Sequence, residues 1–533
     1  MKEGFRQSMA WLHTWAGLVV GWVLFFVFAT GTAGYFQHDI TRWMQPERPQ
    51  QQRVPIPEAR LEPVLGVALA RLEQLAPAAA SWRITLPHES LSPRGWQGLS
   101  IRWEEMPREG HRRGASGSEV LDPTNGALLP SEPQPRATAG GLGLYRMHYM
   151  LHYVPYDWAI RIVGVCTMLM LIAIISGVIA HKRIFQEFFT FRPGKGQRSW
   201  LDAHNAVSVM ALPFFLMITY SGLVFFLFTY MPAGRDVQYG NDSEANQTFY
   251  DELLDRRAHS SIKLPQADVA AMVRQAQGVW GEAQVASIVI ERHEAEPAEV
   301  ILTRANGGKL DFWSPEQMRF KAVDGEQLSE EAPPGGSARL TQSVVMNLHE
   351  GLFADIWGRW LYFFSGLLGC AMIGTGLVLW TVKRRRYHLG SGREKPGLRL
   401  VEALNVATIA GLPLAMAAYF WANRLLPLEM ADRAAWEFHS LFAVWLGSLF
   451  YALARPLARA WVELLWGACL AFAAVPLLNF LTTDRHLGRS LATGDWVFAG
   501  FDLTQLALAA VFAVMALKVQ RRLLVASHME RSV

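Results

Sequence analysis

Eight stretches of this chain run without a single Asp, Glu, Lys or Arg, and all are strongly apolar. They are Gln7 to His38, Ile162 to His181, Ala203 to Gly234, Trp360 to Val382, Ala403 to Asn423, Phe438 to Ala454, Leu464 to Thr483 and Leu503 to Leu517. Crossing a bilayer as a helix takes about 20 such residues, and most of the eight supply that length. Phe438 to Ala454 is the weakest, and the last suffices only if Trp496 to Asp502 belongs to it. Overall, 51% of the residues are hydrophobic and 18% charged, too apolar for an ordinary soluble protein. The expected fold is an α-helical membrane protein of about eight transmembrane helices.

The helices are expected at 7–38, 158–181, 201–232 and 358–382, with a C-terminal four-helix extension over 401–518. The loops 182–200 and 383–400 and the tail 519–533 are basic. The first carries Lys182, Arg183, Arg192, Lys195 and Arg198, and the second includes Lys383, Arg384, Arg385, Arg386, Arg393, Lys395 and Arg399. By the positive-inside rule these loops and both termini face the cytoplasm. The same loops account for the net charge of +4, so no nucleic acid is needed to explain it. Thr32-Ala33-Gly34 loosely resembles a signal-peptide cleavage site. The apolar region before it is far longer than a signal peptide's and matches an internal span, so the first helix is expected to be retained. Cys166, Cys370 and Cys469 all fall in apolar spans, which implies neither a disulfide framework nor a thiolate metal site.

Two polar segments, 40–145 and 235–345, separate the first from the second span and the third from the fourth. Each reads as a small α+β module. In the first, a helix-like stretch from Glu58 to Leu75 precedes WRITLP (from Trp82), LSIRW (from Leu99) and the turn-bearing VLDPTNGALL (from Val120). In the second, LPQADVAAMVRQAQ (from Leu264) reads as a capped amphipathic helix, followed by ASIVIER, AEVILTR, KLDFW and RFKAVDGEQL. The unit of span, module and span therefore occurs twice. A third, degraded copy of its inner helix follows. LDAHNAVSVMALP, from Leu201, aligns without a gap with VEALNVATIAGLP, from Val401.

Histidines repeat with this plan. His13 opens the first span with Gly31 18 residues on, and His204 opens the third with Gly222 18 residues on. That spacing is roughly 27 Å of helix, close to the bilayer's hydrocarbon thickness. The third copy has Leu404 at the position of His204, so the helix itself does not require the imidazole. Leu151-His152 and Leu348-His349 precede the second and fourth spans, with His148 one turn before His152. Imidazoles from several helices at two depths fit bis-histidine haem in a helix bundle, closed on both axial sides and suited to electron transfer. With no CxxCH, such haem is non-covalent and b-type. His181 competes with His13 or His204 as a ligand or bonds a haem propionate, and His148 either binds or lines the helix. Arg161 and Arg359, at span ends, either pair with propionates or snorkel to the interface. Asp502 and Glu437 read as a buried pair, as a quinone-contacting group or, more simply, as residues near span boundaries. Zinc fits less well, because no acidic or thiol ligands accompany the dispersed histidines. A transporter subunit with a histidine proton relay and a non-catalytic scaffold that binds an envelope protein are the other readings left open.

Leu12-His13 before a Gly-rich span, the two Leu-His pairs, HKRIFQEFFTFRPGKGQRSWLDAHN from His181 and ALPFFLMITYSG from Ala211 resemble the PepSY-associated transmembrane helix family, over about residues 5–390. The polar segments resemble PepSY domains. The resemblance implies a bacterial inner-membrane protein that reduces ferric siderophores in the periplasm. It implies two b-type haems held by His13, His204, His152 and His349, with His181 a further candidate. No catalytic acid, base or nucleophile is implied. No dinucleotide-binding glycine fingerprint opens a βαβ unit, so the electron donor is expected to be a quinol or a separate cytoplasmic reductase.

Overall fold

The computed structural model describes residues 3–48, 56–88, 98–107, 114–129, 135–181, 183–187, 190–253, 260–282, 284–294, 296–305, 315–328, 336–388 and 396–531. The strand expected at KLDFW, and Lys182, Arg393 and Lys395 of the basic loops, lie outside these residues.

Helices α1 (Glu3–Gly34), α2 (Gln37–Met44) and α3 (Glu58–Leu75) lead into strands β1 (Ala79–Thr85), β2 (Ser100–Glu105) and β3 (Ser116–Val120). Next come α4 (Gly140–Met150), α5 (Tyr156–Ala180), α6 (Ile184–Glu187), α7 (Gln197–Met210), α8 (Leu212–Phe225), α9 (Leu227–Tyr230), α10 (Ala233–Tyr239) and α11 (Ser243–Leu253). Then α12 (Val269–Trp280) precedes β4 (Val285–Glu291), β5 (Glu299–Arg304) and β6 (Gln317–Lys321). The remainder is helical: α13 (Gly336–Glu350), α14 (Ile356–His388), α15 (Pro396–Val406), α16 (Leu412–Leu425), α17 (Arg433–Ala454), α18 (Leu457–Thr482), α19 (Leu487–Thr493) and α20 (Trp496–Arg531). These elements form two compact units. One comprises Met1–Arg48, Pro133–Leu223 and Arg359–Val533, and the other Pro49–Glu132 and Val224–Gly358.

The first unit is the membrane part. Seven of the described helices are long and apolar enough to cross a bilayer, and α7 with α8, bent by 67°, makes an eighth if the pair is one span. The chain is thus a multi-pass membrane protein. The last span reaches full length because its helix begins at Trp496. The bend has a chemical cause. Pro213 has no N–H to give residue 209, and its ring crowds that carbonyl, so the helix breaks at Ala211. Pro413 stands at the same place in the third copy. There the chain absorbs the missing hydrogen bond in one wide π turn, Ala407–Gly411, and continues.

The second unit is α+β, and here the expectation of two separate modules needs correcting. All six strands form one antiparallel sheet, in the order β3-β2-β1-β4-β5-β6. The halves join by β1 on β4, where Arg83 faces Val289 at the centre of the ladder and each is the fifth residue of its strand. A local two-fold axis therefore relates the halves. Alternation puts two apolar rows across the sheet. Ile101, Ile84, Ile288, Leu302 and Met318 lie side by side, as do Trp103, Trp82, Ile290, Val300 and Phe320. Both rows share a core with α3 and α12. Asp268 caps α12 by accepting from the Ala270 and Ala271 N–H groups, as its sequence suggests. The turns after β3 and β6 use Gly126 (φ 73°) and Gly325 (φ 76°), where a side chain would strain the backbone.

Candidate functional site

Two imidazoles meet inside the membrane unit. His13 on α1 and His204 on α7 have ring centroids 6.1 Å apart, with planes at 60°. Each is held in the same way. His13 Nδ1 lies 2.7 Å from the Ala173 carbonyl of α5, and His204 Nδ1 lies 3.0 Å from the Met372 carbonyl of α14. A carbonyl only accepts, so each Nδ1 carries the proton and each Nε2 keeps a free lone pair, the form that binds a metal.

The glycines explain how the rings reach these carbonyls. Four residues after Ala173 is Gly177, and four after Met372 is Gly376. Within an α-helix that glycine's N–H already occupies one lone pair of the carbonyl, and the histidine takes the other. It approaches over the glycine, where no Cβ intervenes. A Cβ on Gly177 would lie 2.9 Å from His13 Cε1, and one on Gly376 would lie 3.2 Å from His204 Cε1.

The same socket recurs at a second level of α1. His148, in the last turn of α4, has its Nδ1 2.7 Å from the Val27 carbonyl. The residue four further on is Gly31, whose added Cβ would meet His148 Nδ1 at 2.4 Å. Val27 is 14 residues beyond His13, roughly 21 Å along an unbroken helix. The glycine that repeats with His13 in the sequence thus serves a different histidine.

His152 has no such socket. It sits in the turn after α4 between Leu151 (φ 43°) and Tyr153 (φ 69°), two left-handed residues that are not glycine. Its ring stacks on Phe442 at 5.3 Å and lies 6.5 Å from His439, whose Nδ1 is hydrogen-bonded to the Tyr153 hydroxyl. His349 falls in the other unit, in the last turn of α13, with its ring 5.2 Å from Phe225. Its place at its helix end corresponds to that of His148 rather than His152. Arg161 is exposed on α5. Arg359 is paired with Asp39 of α2 at 3.0 Å and lies over Phe36.

Around the inner pair lies a cavity of about 390 Å³, lined by His13, His204, His181, Gly17, Gly177 and Gly376 among others. Two polar atoms of its lining, Ser208 Oγ and Trp380 Nε1, are buried with no hydrogen-bond partner among the described residues. Buried polar groups are rarely left so, and a bound group could satisfy both. The 6.1 Å separation of the inner imidazoles is compatible with a single metal between them. Two nitrogens each about 2 Å from one ion put facing ring centroids roughly 6 Å apart. Among the described residues no group of three or more His, Cys, Asp or Glu is placed to hold a metal ion.

Sequence reasoning missed what the C-terminal helices do. Glu437 and Asp502, expected at span boundaries, are both fully buried. Glu437 accepts hydrogen bonds from Thr138 Oγ1 (2.6 Å), the Ala139 N–H (3.1 Å), Asn423 Nδ2 (2.7 Å) and Arg433 Nη1 (2.9 Å). Asp502 accepts from Trp43 Nε1 and Asn479 Nδ2, and Arg424 lies 3.7 Å over the Trp43 ring. These contacts fasten α2 and the first turn of α4 to α16, α17 and α20. The extension thereby positions the helix that carries His148.

A comparison with protein families matches residues 10–383 to the PepSY-associated TM region family, and the chain belongs to that family. A comparison with curated proteins found no match.

Proposed function

We propose that this protein is a b-type haem oxidoreductase of the bacterial inner membrane. In this reading it carries electrons across the membrane and reduces ferric siderophore in the periplasm, releasing Fe(II). The observation that carries the reading is the inner pair: two imidazoles on repeat-related helices, 6.1 Å apart, each with Nδ1 locked to a carbonyl over a glycine. Haem b, if held there by His13 and His204, would supply a one-electron couple. His13 and His204 present their Nε2 atoms, Ala173 and Met372 fix the tautomer, and the glycines allow the approach. His148, locked in the same way, is the ligand proposed for a second haem at the other level, and His349 is its counterpart in the repeat. His181 lines the inner cavity and remains an alternative inner ligand.

At His13 a proton relay is disfavoured by the same contact, because its Nδ1–H ends on a main-chain carbonyl, which passes no proton onward. His204 Nδ1 also lies 3.3 Å from the Thr375 hydroxyl. The acceptor follows from coordination chemistry. Hard oxygen chelators hold Fe(III) far better than Fe(II), so one electron loosens the ion without destroying the chelator. The basic loops support a cytoplasmic side at the His13 end, with the donor a quinol or a separate cytoplasmic reductase.

Stopped-flow reoxidation tests the reading. Reduced protein in vesicles is mixed with a panel of ferric siderophores, and Fe(II) is trapped by a coloured chelator. The expected result is haem oxidation with matching Fe(II) release for at least one siderophore. Fast oxidation by none of them, with normal haem content, refutes the acceptor assignment.

A further inference from the structure

We infer that the basic end of the inner cavity is an anion subsite, built from Lys383, Arg384 and the Trp380 indole N–H, that holds the cofactor's carboxylates and sets its orientation. The inference rests on the haem reading above. Lys383, Arg384 and Trp380 line the same cavity as His13 and His204. Arg385, the next residue, is neutralised by Glu402. Among the described residues no carboxylate pairs with Lys383 or Arg384. The Arg384 guanidinium lies 3.6 Å over the Trp380 ring and 5.2 Å from that of Trp15. Stacking fixes the guanidinium by its face and leaves its N–H edge for an acceptor in its plane.

Trp380 adds an independent sign. Its Nε1–H is buried without a partner among the described residues, and an indole nitrogen only donates. Half-buried Arg384 and exposed Lys383, with no carboxylate partner among the described residues, and the orphaned Trp380 donor on the same cavity lining suit an anion. Haem b carries both its carboxylates on one edge. Lys383, Arg384 and Trp380 would hold that edge of a haem bound between His13 and His204, whose cavity they line. A lipid phosphate from the cytoplasmic leaflet has similar chemistry, and the test separates the two.

The test is a redox titration of the holoprotein and of two variants, Lys383→Gln/Arg384→Gln and Trp380→Phe. Removing cations favours the oxidised cofactor. The double variant is expected to lose about tenfold in preference for the reduced form, about 59 mV in midpoint for a one-electron couple. Trp380→Phe keeps a ring under Arg384 and is expected to shift the midpoint in the same direction by less, so it serves if the double variant loads poorly. Esterification removes the cofactor's own carboxylate charges, so wild-type protein stripped and reloaded with haem dimethyl ester should bind it less tightly, with no further loss of affinity in the double variant. An unchanged midpoint in both variants overturns the subsite. An ester effect that adds fully to the variant effect gives these donors to a lipid phosphate and overturns it too. Absence of haem from the intact protein is a different result, seen before any titration, and removes the parent reading together with this one.

Discussion

Alanine at Gly31 should damage haem binding more than alanine at either inner socket, and the distances set the order. At Gly31 the new Cβ falls 2.4 Å from His148 Nδ1. Ordinary contact needs about 3.5 Å, so the ring must retreat by about 1 Å. That stretches the Nδ1 to Val27 bond from 2.7 Å to roughly 3.7 Å, too long for a hydrogen bond. At Gly177 the required retreat is about 0.6 Å from a start of 2.9 Å, and at Gly376 only about 0.3 Å from 3.2 Å. The lost hydrogen bond costs about 0.5–1.5 kcal/mol. Alanine in place of glycine returns up to about 1 kcal/mol of helix stability. Global stability should therefore hardly move. Haem affinity should fall, because removing the group that orients a ligating imidazole typically costs about 10–100-fold. Haem per polypeptide, measured beside thermal unfolding, reads both quantities. The expected order of haem loss is Gly31→Ala, then Gly177→Ala, then Gly376→Ala, with similar unfolding temperatures. Full haem in Gly31→Ala, or the reverse order, would refute the socket argument.

Glu437→Ala should destabilise the membrane unit by about 3–5 kcal/mol, because it strands the buried Arg433 guanidinium. Thermal unfolding in detergent reads this directly, and Glu437→Gln, which keeps an acceptor, should cost clearly less. Glu47 supplies a pH test. Burial opposes its ionisation, but hydrogen bonds from Arg136 and their mutual charge prevail and hold its carboxyl below the usual range. Its contribution is therefore complete above the ordinary carboxylate pKa and is lost as pH falls through the lowered folded value. Unfolding temperature should drop on acidification below about pH 4.5, and that part of the drop should vanish in Glu47→Gln.

How much of this was legible in the sequence differs by element. The spans were, because a helix in lipid must be apolar along its whole length and charge-free blocks record that directly. The inner pair was, because His13 and His204 keep one register on copied helices. The second level was legible only in part. The Leu-His pairs match as text, but α4 ends at Met150, so His152 falls into a strained turn while His148 stays on the helix. The single sheet was hidden as well. β1 and β4 are some 200 residues apart in sequence, and no local pattern announces which edges will pair. Glu437 and Asp502 illustrate the same limit. Acidic residues near span ends look solvated until the neighbours that bury them are known.

The central claim is that His13 and His204 hold one haem between them. Its most direct test is a dithionite-reduced minus oxidised spectrum with a haem count, for the intact protein and for His13→Ala, His204→Ala and His181→Ala singly. The account predicts a Soret band with two haems in the intact protein. It predicts loss of the same single haem in the first two variants and retention of both in the third. No Soret band in the intact protein, or a haem lost in His181→Ala but kept in His204→Ala, would contradict it.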